Sequence, residues 1–366
     1  MRRVLVWGTG SAWDKSKVII YEDNIEIVGF IETQRRDIEQ YKEGKLIITP
    51  SEIKKYDYDS IFIASSAKNE ITKELINLNV TEDKIIYLWE IYNYLERCYQ
   101  MKRYLEKKLE EVSSKRIDTI VTGLSYARWG IDSTLAPKSL VNLAMDSSDL
   151  YTNYLICKKA LQINNKIKKV IIGLSYFSFE YDSSKIKEYY KYDCQMIYKD
   201  LVDDNRGRLE NEFCNYNYEV LDNFDYDNLG EMKSEVLANT SLLEYEMNER
   251  NARCKEEAIR DSRKDYPLTV KSNIEILKAY VNMLQDYGCE IKFVVFPVNK
   301  VYSKYFDEKL KKQFSVIMES LRTEFNFQIF DYFDCDEMQD EDFRDGSHLN
   351  KSGGEKFTRI LINKVL

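Results

Sequence analysis

Up to about residue 90, short apolar runs alternate with helical periods along this 366-residue chain. Residues 4–7, 25–31, 46–48, 60–64 and 85–88 are apolar at nearly successive positions, the pattern of strands buried on both faces. Thr49-Pro50-Ser51-Glu52 offers a capping box with proline at the first helical position, and a helical period runs from about Glu70 to Leu78. Strands alternating with helices predict a parallel sheet covered by helices.

From residue 88 to about 113 the period is helical and heavily charged, with Tyr92, Leu95, Met101, Leu105 and Leu109 along one apolar face. Such a helix either caps a core or makes a contact in a homo-oligomer. A second alternation follows. Strands are expected at 117–121, 140–143, 169–172, 291–296 and 327–330, and helices at 150–163, 270–286, 307–324 and 355–366. Between Tyr181 and Tyr266 the chain turns polar, rich in Tyr, Asp, Glu, Asn and Lys, without a strand period. An insertion of that size predicts mixed helices serving as a lid, or a solvated flexible segment. The organisation read from the pattern is an α/β domain over residues 1–90, a connecting helix at 91–114, and a second α/β domain over 115–366 interrupted at about 181–266.

Composition narrows the function classes. A net charge of −8 and a pI near 5.2 argue against sequence-independent nucleic-acid binding, which needs a basic face. No apolar run reaches the roughly 18 residues of a membrane span, and Met-Arg-Arg-Val-Leu-Val-Trp leads into a strand instead of a signal peptide. A cytoplasmic chain is expected. The seven cysteines are widely spaced with no Cys-x-x-Cys pair, and there is one histidine, so a metal site is not expected and the thiols read as reduced.

That histidine, His348, lies in Asp345-Gly346-Ser347-His348-Leu349-Asn350-Lys351-Ser352-Gly353, just before the final helical period. Imidazole chemistry can occur only there, and a carboxylate three residues earlier can reach one ring nitrogen while the other stays free for a hydroxyl. Ser125, in Thr122-Gly123-Leu124-Ser125-Tyr126 after a strand, is the hydroxyl the pattern offers. Ser125, Ala144 and Ser175 all follow strand ends, where ligands of open parallel sheets collect. Arg128 and Asp132 could orient an anionic or sugar substrate, or pair structurally.

In the first domain, Gly8-Thr9-Gly10 after the first strand and Glu32 at the end of the second form half of a dinucleotide fingerprint without its third glycine; a tight strand-to-helix turn reads the same way. With Gly29-Phe30-Ile31-Glu32, Pro50 and Ile61-Phe62-Ile63-Ala64-Ser65-Ser66, the segment resembles the N-terminal Rossmann-like domain of bacterial sugar acetyltransferases and related polysaccharide-biosynthesis proteins. The resemblance implies a nucleotide or nucleotide-sugar near Gly8, Gly10 and Glu32, although the chemistry of the second domain requires no cofactor.

The second domain resembles the GDSL/SGNH hydrolase superfamily, in Gly123-Leu124-Ser125, Asn142-Leu143-Ala144, Gly173-Leu174-Ser175 and Asp345-Gly346-Ser347-His348. The resemblance implies a flavodoxin-like α/β/α sandwich with Ser125 as nucleophile, His348 as general base and acid, and Asp345 fixing the imidazole. It also implies an oxyanion held by the Ser125 N–H and by an N–H after the second strand. Ala144 or Ser147, depending on register, stands where the superfamily has glycine, and Ser175 stands where it has asparagine. Gly173-Leu174-Ser175-Tyr176-Phe177 looks closest to the branch of D-alanyl-transfer and polysaccharide acyl-modifying proteins. A serine esterase or O-acyltransferase acting on a saccharide or glycan precursor is therefore expected, with a non-catalytic protein of the same fold as the alternative.

Overall fold

The computed structural model describes residues 1–33, 40–114, 116–186, 189–202, 212, 214–216, 238–264 and 268–366. Contacts divide them into two units, the first holding residues 1–100 with Glu212 and 214–216, the second beginning at Met101. Both are α/β with parallel sheets.

The first unit contains β1 (Arg2–Trp7), β2 (Ile25–Ile31), β3 (Tyr41–Lys42), β4 (Lys45–Ile48), β5 (Ser60–Ile63) and β6 (Ile85–Ile86). Their order is β3-β4-β2-β1-β5-β6, with only the two-residue β3 antiparallel. Setting β3 aside, the strands run 3-2-1-4-5 in chain order, the winding of a Rossmann-type sheet. Val4, Leu5 and Val6 on the central strand are fully buried, which is why that strand reads as an unbroken apolar run. Each such buried aliphatic side chain contributes about 1.5–3 kcal/mol.

The second unit contains β7 (Thr119–Gly123), β8 (Leu140–Asn142), β9 (Lys169–Leu174), β10 (Glu290–Val295) and β11 (Gln328–Asp331), all parallel in the order β11-β10-β9-β7-β8. Read from the β8 edge this is 2-1-3-4-5, the flavodoxin-like order, and its switch point lies between β7 and β9. Helices Leu150–Ile163, Thr269–Asp286 and Glu308–Glu324 follow β8, β9 and β10, and Lys351–Ile362 follows β11. Right-handed crossovers on this order put helices on both faces of the sheet.

The expected elements shift at their ends for identifiable reasons. The last helix begins at Lys351, not 355, because Asn350 caps it by accepting the Gly353 N–H at 2.9 Å; Lys351, Ser352, Gly353 and Gly354 carry no apolar period. Leu88 opens the helix Leu88–Ser114 and does not extend β6. On that helix Tyr92, Leu95, Met101 and Leu105 are buried, while Leu109 is half-buried. The Thr49 capping box is present but opens a 3-10 turn, Pro50–Lys55.

The polar segment expected at 181–266 lies partly outside the described residues. Its described part holds short helical turns and one longer helix, Met247–Asp261. All seven cysteines are free thiols, six buried and Cys335 half-buried. No helix among the described residues is long and apolar enough to cross a membrane.

Candidate active site

Ser125 follows β7 at the sheet's switch point, where crossovers diverge and leave a crevice. Gly123 makes the turn possible. Its φ is +141°, and a Cβ there would lie 2.6–2.9 Å from the backbone of Gly173, its parallel partner on β9. The chain then passes through Leu124 into the helix Ser125–Gly130, so the Ser125 N–H belongs to a first turn with no carbonyl behind it in the helix.

His348 arrives on a small hairpin. Phe343 bridges Leu349, and the Arg344 N–H donates to the His348 carbonyl at 3.0 Å, closing a loop whose tip is Asp345-Gly346-Ser347. Asp345 Oδ1 accepts the backbone N–H groups of Ser347 at 3.0 Å and His348 at 2.7 Å, which fixes the carboxylate within its own turn. The imidazole Nδ1 lies 2.9 and 3.0 Å from the two carboxylate oxygens, and Nε2 lies 2.7 Å from Ser125 Oγ. With Nδ1–H donated to Asp345, Nε2 is the acceptor facing the serine hydroxyl. Residues 223 apart in sequence thus share one hydrogen bond.

Electrostatics follow from this packing. Burial alone would lower the imidazole's pKa, but the charge and hydrogen bond of Asp345 outweigh it and raise His348 above its ordinary value. Burial would likewise raise the Asp345 carboxyl; the imidazole's charge and hydrogen bond hold it well below the usual carboxylate range. Tyr126 stacks on the imidazole with centroids 5.0 Å apart, and its hydroxyl lies 3.5 Å from that of Tyr302, which donates to Asp261 at 3.0 Å. The arrangement can take a proton from Ser125 as its oxygen attacks an electrophile, and hold the resulting imidazolium against Asp345.

Residues 1–86 match the family model described as C2185-like, N-terminal. No curated protein matches the chain. A solved structure of a proposed platelet activating factor from Streptococcus pneumonia is similar at 14% identity and a TM-score of 0.41, covering 73% of this chain and 94% of its own. A proposed acylhydrolase from Bacteroides fragilis is similar at 8% identity and a TM-score of 0.36, with 72% and 93% covered. At such scores the α/β assignment rests on the strand orders themselves.

The other expected site residues fall in several places. The Ala144 N–H donates to the Asn142 side chain at 3.0 Å, so this main-chain donor is turned inward. Ser147 has the left-handed backbone, φ +58°, that favours glycine, and sits half-buried on the loop after β8. Ser175 follows β9 as Ser125 follows β7; its N–H donates to Ser178 Oγ at 2.9 Å. Arg128 pairs with Asp146 at 2.9 Å, stacks over Tyr104, and lines a cavity of about 400 Å³ with Asp132, whose walls include neither Ser125 nor His348. In the first unit, the Thr9 N–H donates to Glu32 at 3.0 Å and the Thr9 hydroxyl donates to the same oxygen, so the acid closes on the glycine turn. A Cβ on Gly8, with φ +114°, would collide with the Ala64 carbonyl, which accounts for this glycine by close strand packing. Gly10 has open space around it.

One residue was missed. Glu257, on the helix Met247–Asp261, accepts the Gly346 N–H at 2.9 Å and the Ser347 hydroxyl. With Asp345 and His348 it forms a group whose ligand atoms lie within 4.8 Å of one another, the set that could hold a metal among the described residues, though each now takes part in hydrogen bonds. Its sequence signal is faint: Cys254, Glu257, Ala258 and Asp261 fall on one helical stripe inside a segment that otherwise reads as solvated.

Proposed function

We propose that the second unit is a serine esterase or O-acyltransferase of the SGNH type, working through an acyl-enzyme on Ser125. The observation that carries this reading is the single line of hydrogen bonds from Ser125 Oγ to His348 Nε2 at 2.7 Å and from Nδ1 to Asp345 at 2.9 Å. In the first step Ser125 Oγ bonds to an ester carbonyl carbon while its proton passes to Nε2, and the carbonyl oxygen takes up the negative charge. The Ser125 N–H is the main-chain donor assigned to that charge, and Ser147 is the second candidate because the Ala144 N–H is committed to Asn142. Collapse expels the alcohol, which leaves with the proton from Nε2. Water or a sugar hydroxyl then attacks the acyl-enzyme, giving its proton to the same nitrogen; as the Oγ–carbon bond breaks, Nε2 returns that proton to Ser125 Oγ and the acid or new ester leaves.

We infer that the substrate is a saccharide or glycan precursor, a reading supported by the Gly173-Leu174-Ser175-Tyr176-Phe177 pattern and its likeness to glycan acyl-modifying proteins. The test is labelling by a fluorophosphonate probe, followed by intact mass. One adduct is expected on the native chain, none on Ser125→Ala, and strongly slowed labelling on His348→Ala. Equal labelling of all three would refute the triad, and no labelling of the native chain would favour a non-catalytic protein. A transferase is expected to partition an acyl group to added sugar in preference to water.

A further inference from the structure

The hairpin carrying Asp345 and His348 is held from outside by two groups at Gly346. Its N–H donates to Glu257 Oε2 at 2.9 Å, and its carbonyl accepts the Asn299 N–H at 2.9 Å. The next residue, Ser347, donates its hydroxyl to Glu257 Oε1, while Ser347 Oγ lies 3.1 Å from His348 Nδ1 and 3.4 Å from Asp345 Oδ1. One carboxyl therefore grips both residues between the acid and the base. The side chain of Glu257 is only 13% exposed, and a Cβ on Gly346 would lie 2.8 Å from Oε2 and 3.1 Å from Cys254 Cα, so the hairpin rests directly on the helix.

We propose that Glu257 is a positioning residue of the acid–base pair, holding Gly346 and Ser347 so that Asp345 and His348 stay aligned on Ser125. The inference rests on the catalytic reading of Ser125 and His348. Asp345 already anchors the imidazole through its own turn, so Glu257 works one step back, on the turn itself. A buried partner that orients a functional ligand or base commonly changes its performance by about 10–100-fold when removed.

Glu257 also acts on the imidazole through charge. The groups around it are Asp345 and His348 on the hairpin, Arg260 at 3.6 Å and Asp261 on its own helix, Lys264 just beyond, Cys254, and the phenols of Tyr126 and Tyr302. Burial and the neighbouring Asp345 charge push the Glu257 carboxyl up to about 7, into the range where an imidazole titrates. Above that range it is a second negative charge beside the ring, which favours imidazolium.

The chain's single histidine makes the test direct, because ring-labelled histidine gives one set of imidazole resonances. Glu257→Gln is expected to lower the imidazole titration midpoint by about half a unit or more, through loss of charge. Glu257→Ala is expected to slow fluorophosphonate labelling about tenfold or more, with the probe's saturation constant little changed, and Glu257→Asp to recover part of the rate. A midpoint within about 0.2 units of the native value in folded Glu257→Gln, below any charge effect of this proximity, overturns the proposal. So does labelling within about twofold in folded Glu257→Ala, too small for a displaced base. If the native chain is not labelled at all but the midpoint still moves, the catalytic reading fails while the placement of Glu257 beside the imidazole stands.

Discussion

Asp345→Asn isolates the imidazole's tautomer from the fold of the hairpin. In the native turn Oδ1 accepts two backbone N–H groups, at 2.7 and 3.0 Å, and an asparagine carbonyl oxygen can keep both. The amide nitrogen then takes the place of Oδ2, 3.0 Å from Nδ1, where it can only donate. Oδ1, 2.9 Å from Nδ1, can still accept Nδ1–H, so the ring is no longer held in one tautomer, and the Nε2–H form that the amide nitrogen favours points its proton at Ser125 Oγ and removes the acceptor. The lost charge adds to this. Two unit charges 2.9 Å apart attract by about 6 kcal/mol at an effective dielectric constant of 20, with the Nδ1 to Oδ1 distance as the separation. The Asp345 side chain is 40% exposed, so solvent screening reduces that to about 3 kcal/mol. About 3 kcal/mol is roughly 10² in rate; the wrong tautomer carries the loss toward the order of 10⁴ known from serine-protease triads. The assay is the second-order rate of fluorophosphonate labelling, read beside the ¹⁵N shifts of the one imidazole. Labelling within about threefold of the native rate, with the proton still on Nδ1, would refute the reasoning, since it falls far below the loss expected of a triad.

The rate of labelling is expected to rise with pH as Nε2 loses its proton. Asp345 raises His348 above its ordinary 6.5, so the midpoint should lie above that value; a profile flat across the imidazole range would contradict it. Stability should respond to Glu257 with a defined sign. Burial and the Asp345 charge raise its carboxyl from 4.5 to about 7 in the folded chain, so its contribution is complete below pH 4.5 and lost as pH rises through about 7. Urea melts should show Glu257→Gln gaining on the native chain across that window, and parallel curves would count against it. Gly123→Ala should cost about 3 kcal/mol or more, because both the φ of +141° and the Gly173 backbone resist the added methyl; a loss under about 1 kcal/mol would show that the strands can part.

Much of the fold was legible because buried parallel strands have little freedom in composition. Val4 to Val6, Ile61 to Ile63 and Val170 to Ile172 are apolar at every position since helices or neighbouring strands cover both faces. What stayed hidden were ends governed by single polar contacts. The start of the last helix depends on Asn350, and the helix Leu88–Ser114 takes up a leucine that continues an apolar run. Strand order is also absent from periodicity: the two sheets have similar alternations but wind as 3-2-1-4-5 and 2-1-3-4-5. Both place a serine at the start of the helix after the first strand, Ser11 and Ser125, but the chain's one imidazole meets Ser125.

The site was legible where it is local and opaque where it is not. Asp345 and His348 are three residues apart, and the turn that joins them is specified by that spacing. Ser125 could be paired with His348 because the chain has only one imidazole to offer. The oxyanion donors resisted the same logic. A main-chain N–H survives every substitution at Ala144 except proline, yet it is consumed by Asn142, two residues earlier, and no residue pattern reports where an N–H points. Ser147 carries the backbone conformation that glycine would favour, so the loop keeps its shape without the residue that announces it. Glu257 is the extreme case. It comes from the polar segment expected to act as a lid, and what distinguishes it from the many other acids there is the stripe of small residues beside it, which lets its helix lie against Gly346. A helix in that position packs behind the turn that joins Asp345 to His348.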